Sequence, residues 1–308
     1  MEQVKDIPEL AATISRLVRD VMLELRPRLV EAAITGRRGE HENRRHADNF
    51  LSDHDIWMHQ RYLELLTPIL GSFVYASEEA EPKVVGDDPD PDLCVLVDPL
   101  DTSELAVRAL LGYTHIMVYS RHLTRPIIAV VGDIFHHLQL YVGARDDHGI
   151  ERAFLVTADS DTYELKQRAR RPLSESLVTN FLMRPAERFI PLSEKKNLLA
   201  ALDRPGQDGK SRGRIGVDFG SVSLCHVAAG MTEAVVEFAK GFAVWDLAPG
   251  HFILHASGGT VLDLDGEPVS LDYKFDSLTD ITAAMNRRQR FVAAGSRSLA
   301  EEIVTALR

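Results

Sequence analysis

The order of apolar and polar positions predicts two amphipathic helices followed by a series of short strands. Apolar residues recur at helical spacing over residues 8–34, which predicts a long first helix. A second helix is predicted for DIWMHQRYLELLTPIL, starting near Asp55. From about residue 72 to residue 142 the β-rich runs SFVYA, LCVLV, THIMVYS, PIIAVVGD and LQLYVG predict strands. The acidic AEPKVVGDDPDPD segment between the first two runs predicts an exposed loop.

Beyond SLVTN, strand-like runs alternate with helical runs, as is typical of α/β architecture. Helices are predicted at SVSLCHVAAG, at DLAPGHFILHAS and at the end of the chain, and strands at EAVVEF and FVAAG. We therefore expect an N-terminal α+β half, residues 1–172, and a C-terminal α/β half, residues 173–308. The two halves are expected to form one integrated unit.

Composition narrows the class of protein. With 308 residues, 45% of them hydrophobic and 26% charged, the chain is expected to be a soluble globular protein. The formal charge of -11 argues against a nucleic-acid partner, because phosphate backbones require basic patches. No apolar run approaches the roughly 20 residues of a membrane span, so no membrane contact is expected. Cys94 and Cys225 lie in apolar runs and predict buried free thiols in a reducing cytoplasm.

Two aspartates end the strand predicted for CVLV. Asp98 and Asp101 occur in VDPLDTSELA, where a rigid strand end could bring their carboxylates together with groups from neighbouring strands. The same residues also fit an Asx turn leading into a helix, with Asp, Thr or Ser as N-cap and Glu104 in the first turn. This segment alone does not decide between the two interpretations.

Further acids follow other predicted elements. Glu78 comes after the first strand, Asp55 begins the second helix, and Asp246 precedes a helix. Taken singly, Glu78 fits a solvated acidic loop, and Asp55 and Asp246 fit helix N-caps. Taken together, they suggest a cluster of carboxylates. Such a cluster would need cations or protons between its members.

The chain resembles the inositol monophosphatase family of magnesium-dependent, lithium-sensitive phosphomonoesterases. Its first motif appears as VDPLDTS and its second as WDLAPGHFILHASGG, with SEEA and SDHD matching the family's upstream elements. The resemblance covers nearly the whole chain. It implies a layered α-β-α-β-α sandwich of the inositol monophosphatase and fructose-1,6-bisphosphatase type, in the α+β or α/β class. A homodimer is also expected.

The resemblance implies two or three Mg²⁺ ions, with Mn²⁺ as an alternative, because every ligand is an oxygen. Glu78, Asp98 and the Leu100 carbonyl would hold one ion. Asp98, Asp101 and Asp246 would hold a second, with Asp98 bridging the two. A third, weaker site would use Glu78 and waters.

Catalysis is expected to involve Asp55, Ser103 and Glu78. Ser103 stands where the family has a threonine, and its hydroxyl, bonded to Asp55, would orient or activate the attacking water. The phosphate is expected over a helix beginning near Thr102, bound by backbone N–H groups. Thr102 and Ser103 would therefore contact the phosphate.

Several expected substrate residues depart from the family pattern. Thr102 replaces a glycine and is expected to have ordinary helical angles. Glu104 replaces a small polar residue and would repel a phosphate dianion unless it points away from the phosphate or contacts a cation or hydroxyl of the substrate. The family's substrate-binding glutamate corresponds to Ala239, which leaves Glu237 and Lys240 as candidates. Lys240 could meet a second anionic group.

Gly220 and Ser221 match a family segment near the sugar or inositol ring, and a helix N-cap is the alternative. The leading hypothesis is a metal-dependent phosphomonoesterase acting on a small polyol, sugar or nucleoside phosphate. The alternatives are a bisphosphate phosphatase of the sugar bisphosphate or phosphoadenosine type, and a catalytically reduced family member that acts as a binding protein.

Overall fold

The computed structural model describes residues 2–4, 7–43, 45, 49–136, 139–167, 171–206, 208–210 and 212–308. The helices within these residues, in chain order, are α1 Glu9–Thr35, α2 Asp53–Leu70, α3 Ser103–Ala106, α4 Phe189–Ser193, α5 Lys196–Leu202, α6 Gly220–Ala228, α7 Val244–Ala256, α8 Leu278–Met285 and α9 Arg297–Leu307.

The strands belong to three sheets. In the N-terminal part they are β1 Glu2–Gln3, β2 Glu40–His41, β3 Leu51–Ser52, β4 Phe73–Ser77, β5 Ala80–Val85, β6 Leu93–Asp101, β7 Tyr113–Ser120, β8 Arg125–Asp133, β9 Leu140–Arg145, β10 Glu151–Val156 and β11 Thr162–Leu165. In the C-terminal part they are β12 Leu177–Asn180, β13 Arg214–Val217, β14 Ala234–Phe242, β15 Thr260–Leu262 and β16 Gln289–Ala294.

Most of the described strands form a large N-terminal sheet and a smaller C-terminal one, and β2 pairs with β3 in a third sheet of two strands. The first has nine strands in the order β1-β11-β10-β9-β8-β7-β6-β4-β5, and the second has five in the order β13-β12-β14-β16-β15. Helices α1 and α2 cover one face of the large sheet. Helices α6 and α7 lie between the sheets, and α5 and α9 cover the outer face of the small sheet. The layers therefore run α-β-α-β-α.

Strand β6 shows why the large sheet is buried on both faces. Val95 and Val97 pack with the α1 and α2 side, whereas Cys94 and Leu96 pack with α6 and α7. Side chains in a strand alternate between faces, so a continuous apolar run is what a sheet between two helical layers requires. Because the run CVLV is buried on both faces, the acidic turn at its end, with Asp98 and Asp101, lies in the middle of the molecule.

Most predicted elements are confirmed, with two clear errors. Helices α1 and α2 begin and end within two residues of their predicted bounds. The predicted acidic loop after β4 is wrong in its first part, because β5 pairs with β4 as an antiparallel hairpin. The helix expected after VDPLDTSE is a single turn, α3, of four residues.

Two expectations from composition can be compared with the structure. Cys94 and Cys225 are both buried free thiols, as predicted. Among the helices of the described residues, none combines the length and the apolar character that a membrane crossing needs.

Candidate active site

The end of strand β6 brings two aspartates to the same side of the large sheet. Asp98 pairs with His115 and Asp101 pairs with Tyr113, so β6 contains one more residue than β7 across this interval. In a regular strand, residues three apart point to opposite faces. The extra residue of a β-bulge reverses that alternation locally. The carboxylates of Asp98 and Asp101 can therefore converge.

Two further acids reach the same place from other elements. Glu78 directly follows β4, whose end lies beside β6 because Ser77 pairs with Val97 in parallel register. Asp246 lies in the first turn of α7, in the layer between the sheets. Neither is a side-chain helix cap or a freely solvated acid: α7 is capped at Ala243, and Glu78 accepts a 3.0 Å hydrogen bond from Asn49 Nδ2.

These acids line one open cleft. Glu79, Leu100 and Ser103 also lie in its wall. Across from the acids, the C-terminal half contributes basic and apolar side chains. The remaining lining residues are Asn49, Phe50, Thr102, Glu104, Phe181, Met183, Arg184, Arg188, Gly220, Lys240, Phe242 and Arg288.

The acidic cluster is only partly compensated, by Arg288 Nη1 at 3.6 Å from Asp246 Oδ2 and by the Asn49 bond to Glu78. Both carboxylate oxygens of Asp98, and Oδ2 of Asp101, are buried and have no hydrogen-bond partner. Burial, followed by the charges of neighbouring acids, raises the pKa values of Glu78, Asp98 and Asp101 well above the ordinary range. Burial also raises the pKa of Asp246, against an opposing effect of Arg288.

A set of unpartnered, crowded carboxylate oxygens fits a divalent cation. Hard oxygen donors are the ligands that Mg²⁺ and Mn²⁺ take, and bound cations would remove both the repulsion and the missing hydrogen bonds. The side chains of Glu78, Asp98, Asp101 and Asp246 are therefore chemically suited to hold metal ions. The backbone carbonyl of Leu100 is an additional oxygen at the cleft.

His115 lies beside this cluster and was missed in the sequence. Its Nδ1 is 3.7 Å from Asp98 Oδ2 and its Nε2 is 3.4 Å from Asp101 Oδ2, and the side chain is completely buried. Burial lowers the pKa of His115 to about 3, against a smaller effect of the Trp245 backbone, so the ring is neutral. The available signal was a histidine within the otherwise buried run THIMVYS, on the strand that pairs with the acidic turn.

Asp55 and Ser103 are in contact, as the resemblance led us to expect. Asp55 belongs to a capping box at the start of α2, in which the Ser52 backbone N–H donates to Oδ2 at 2.8 Å. Its other oxygen, Oδ1, accepts a short hydrogen bond from Ser103 Oγ. Burial raises the pKa of Asp55 to about 6, and the bonds from Ser103 and Ser52 oppose that shift. The N-cap itself is Ser52, so the interpretation of Asp55 as N-cap is wrong by three positions.

Thr102 does not have the ordinary helical angles that we expected. Its φ of 61° and ψ of 38° are left-handed, and it makes no side-chain cap bond to α3. A β-branched residue in this region is strained, and glycine adopts it without that cost. Thr102 thus retains the backbone shape of a glycine position. The single turn that follows is too short to supply much of a helix dipole to a phosphate.

Glu104 lies at the edge of the cleft. Its side chain is 47% exposed, and its carboxylate forms a 2.9 Å salt bridge with Arg108, one turn later. The pair neutralises part of the charge that would repel a phosphate. Glu104 is therefore available at the cleft without adding to the buried acidic cluster.

Gly220 and Ser221, at the start of α6, pack against Asp101 and Asp246. Gly220 has a φ of 44°, and a Cβ at this position would overlap Asp101 Oδ2. The Ser221 hydroxyl is buried; it donates to the Asp246 carbonyl at 2.6 Å and accepts from the Gly250 N–H at 3.2 Å. Ser221 thus joins α6 to α7, which differs from the expected substrate contact. Gly220 lines the cleft.

Glu237 also differs from its expected role. Its side chain is buried, and its Oε2 accepts a 2.7 Å bond from Arg188 Nε. Its Oε1 accepts backbone N–H groups of residues 239–241. These bonds occupy the carboxylate and hold Arg188 at the cleft, with its guanidinium 4.2 Å from the Phe181 ring centroid. Lys240 does line the cleft, where Nζ donates to Glu187 at 3.0 Å.

Comparison with known proteins assigns the family. The sequence model described as "Inositol monophosphatase family" matches residues 7–308, so the chain belongs to the inositol monophosphatase family. Human inositol monophosphatase 2 is 32% identical over 123 residues, which make up 40% of this chain and 34% of that protein. The Nus factor SuhB of Pasteurella multocida is 25% identical over 177 residues, 58% of this chain and 59% of that protein. The chain thus aligns with about a third of the human relative and less than two thirds of the bacterial one.

A solved structure supports the fold. Staphylococcal IMPase-I, complexed with its products, superposes with a TM-score of 0.68 and covers 98% of this chain and 96% of its own, at 13% identity. At this identity the likeness shows the fold alone. It confirms the predicted layered α-β-α-β-α sandwich.

The raised pKa values predict how stability depends on pH without metal. Carboxyl groups with pKa values above their unfolded values bind more protons in the folded state, so the free energy of unfolding falls as pH rises. The window extends from about pH 4, the unfolded range, to about 8, the pKa of Glu79. Asp55 alone, shifted from 3.8 to about 6, corresponds to a loss of about 3 kcal/mol.

Thermal unfolding in a chelator, followed by circular dichroism from pH 5 to pH 8, measures this effect. We expect Tm to fall with pH, and added Mg²⁺ or Mn²⁺ to raise Tm more at pH 8 than at pH 5, because metal ions compete with protons. The metal-loaded protein is the control. A Tm in chelator that stays constant or rises across this window would contradict the charge assignment.

Proposed function

We propose that this protein is a Mg²⁺-dependent phosphomonoesterase that hydrolyses a small polyol, sugar or nucleoside phosphate. The observation that carries the proposal is the set of buried carboxylate oxygens without partners, next to the bonded Ser103 and Asp55 pair in one open cleft. Membership of the inositol monophosphatase family supports a phosphatase. A phosphate dianion would be repelled by the acids alone, so the same cluster favours catalysis with cations.

The proposed metal ligands are acidic side chains and one backbone carbonyl of the cleft wall. Glu78, Asp98 and the Leu100 carbonyl would hold one ion, and Asp98, Asp101 and Asp246 a second, with a weaker third site at Glu78. Paired divalent ions supply a nucleophilic water at neutral pH and stabilise the leaving oxygen. Mn²⁺ is an alternative ion, since it takes the same oxygen donors.

Ser103 and Asp55 would position the attacking water. The Ser103 hydroxyl has one proton and two acceptors within reach, Asp55 Oδ1 and the Leu100 carbonyl at 2.7 Å. When that proton is donated to the ionised Asp55, a lone pair of Oγ is free to accept from a water in the cleft. Asp55 is held by the capping box and cannot turn away, so the pair is preorganised.

A phosphate-release assay tests the proposed reaction. Inositol, sugar, histidinol and nucleotide monophosphates are incubated with the protein, with and without Mg²⁺. We expect release only with the metal ion, and Asp98→Asn should reduce kcat about a thousandfold by removing the shared ligand. Asp133→Asn is the matched control, because Asp133 is equally buried but lies outside the cleft lining.

An active Asp98→Asn variant would refute the assignment of Asp98. No release of phosphate from any substrate, by folded and metal-loaded protein, would refute the enzyme and leave the binding protein as the remaining function. The Pasteurella relative is named a Nus factor, so the assay should distinguish an enzyme from a binding protein.

The Ser103 relay makes a second prediction. Ser103→Ala should lower kcat by about a hundredfold and leave metal affinity nearly unchanged, because the hydroxyl acts on the water. Ser103→Thr should retain activity, since it keeps the hydroxyl. Initial rates and calorimetric metal titrations measure the two quantities. Loss of metal binding in Ser103→Ala would show that the residue serves the metal site instead.

A bisphosphate phosphatase is the second candidate function. The observation in its favour is the basic side of the cleft, to which the C-terminal half contributes Arg184, Arg188, Lys240 and Arg288. Cations opposite the carboxylates could bind a second phosphate on the leaving group. The Arg188 guanidinium is fixed by Glu237 and Phe181, so part of this surface is preorganised.

Lys240→Gln separates the two candidates. If the substrate has a second phosphate, KM for a bisphosphate should rise up to about fivefold, because one exposed charge pair is lost, and KM for a monophosphate should stay constant. Lys196→Gln, on the exposed side of α5, is the control. Equal effects of Lys240→Gln on both substrates would argue for the simple monophosphatase. Cytoplasmic location and a homodimer stay predictions.

A further inference from the structure

The contacts of His115 differ from those of an ordinary buried histidine. Neither ring nitrogen has a hydrogen-bond partner of normal geometry, and both carboxylate oxygens of Asp98 and Oδ2 of Asp101 also lack one. Buried polar atoms are almost always paired. Here the unpaired atoms surround one point, because one donor atom from each of Asp98, Asp101 and His115 lies within 4.8 Å of the others.

The chemistry of imidazole makes this arrangement unfavourable without a cation. A neutral ring has one N–H and one nitrogen lone pair. Nδ1 is 3.7 Å from Asp98 Oδ2 and Nε2 is 3.4 Å from Asp101 Oδ2, so in either tautomer the nitrogen without a proton lies close to a carboxylate oxygen. A cation between the lone pair and the carboxylate turns this repulsion into two attractive contacts.

A protonated ring is the competing explanation, and the distances argue against it. Hydrogen bonds between charged N–H and carboxylate groups are about 2.7–2.9 Å long. The two contacts here are 3.4 and 3.7 Å. In contrast, two ligands at about 2.1 Å from one ion lie about 3.0 Å apart in octahedral geometry and about 3.4 Å apart in tetrahedral geometry. The 3.4 Å between Nε2 and Asp101 Oδ2 is close to this range.

We propose that His115 is a nitrogen ligand of a metal ion held with Asp98 and Asp101, and that this site favours first-row transition ions over Mg²⁺. Imidazole suits ions such as Fe²⁺ and Zn²⁺, whereas Mg²⁺ takes oxygen ligands, and Mn²⁺, at the weak-binding end of the transition series, is the paramagnetic probe of the site. His115 lies deeper than the cleft lining, so the ion binds at the inner end of the cleft. The ring also interacts with the Trp245 backbone, the kind of partner that orients a metal-bound histidine.

This inference rests on the proposed function and changes one part of it. The site formed by Glu78, Asp98 and the Leu100 carbonyl keeps oxygen donors only and remains suited to Mg²⁺. The site that contains Asp98 and Asp101 gains a nitrogen donor. The two positions would then differ in the ion that they prefer, and Asp98 would connect them.

Pulsed EPR of bound Mn²⁺ tests the proposal on the unmodified protein. Metal is removed, Mn²⁺ is added to one equivalent, and electron spin echo modulation detects nitrogen bonded directly to the ion. We expect a directly bound histidine nitrogen, which disappears in His115→Val and changes its coupling after ¹⁵N-histidine labelling. His251→Gln is the matched control, because His251 is also buried but bonds to Tyr273 outside the cleft.

Calorimetric titration gives a second measurement. His115→Val should weaken Mn²⁺ binding about a hundredfold and weaken Mg²⁺ binding by less, while His251→Gln changes neither. Should His115→Val fail to fold, His115→Asn replaces it, and the spectrum of the unmodified protein decides without any variant.

The outcomes separate this proposal from the proposed function. Stoichiometric Mn²⁺ with oxygen ligands only, or a nitrogen signal that persists in His115→Val, would overturn the role of His115 and leave the phosphatase intact. Absence of any divalent metal binding would overturn both. Equal affinities for Mg²⁺ and Mn²⁺, unchanged in His115→Val, would overturn the selectivity.

Discussion

Repulsion among buried carboxylates is the constraint on which the rest of this structure depends. Strands β4 and β6 end side by side, and their acids meet Asp246 from α7 where little water can screen them. Such a cluster is unstable unless protons or cations neutralise it. The surrounding scaffold, with apolar strands buried on both faces, provides the stability that keeps this arrangement folded.

The helical layer between the sheets supports the acids by close packing. Gly220 leaves room for the Asp101 carboxylate, and the Ser221 hydroxyl ties α6 to the Asp246 carbonyl. On the opposite wall, Glu237 fixes Arg188 beside Phe181. Ser221 and Glu237, which were expected to touch substrate, thus lie behind the cleft wall, and the groups that face the cleft include arginines that the sequence analysis did not single out. The cations at the cleft come from the C-terminal half, as does Asp246, and Arg288 lies 3.6 Å from the Asp246 carboxylate.

The sequence predicts the parts of this protein that depend on local pattern. Helical spacing located α1 and α2, and motif order brought Glu78, Asp98 and Asp101 to one cleft. Prediction from sequence failed where the structure depends on contacts between distant residues, or where the prediction rested on composition alone. The acidic residues of β5 led to the prediction of a loop. Capping rules predicted right-handed helical angles for Thr102, whereas its angles are left-handed. The buried run THIMVYS marks His115 as a buried histidine, but its position beside Asp98 and Asp101 depends on the β6–β7 register, which a bulge shifts.

The double use of Asp55 has an evolutionary consequence. One oxygen completes the capping box of α2 and the other bonds to Ser103, so selection for a stable helix retains this aspartate even in a lineage that no longer turns over substrate. Asp98 has no such second task, since its buried oxygens have no protein partner. A descendant freed from metal binding would gain stability by replacing it. Among relatives, the presence of Asp98 is therefore informative about retained activity, whereas the presence of Asp55 is not.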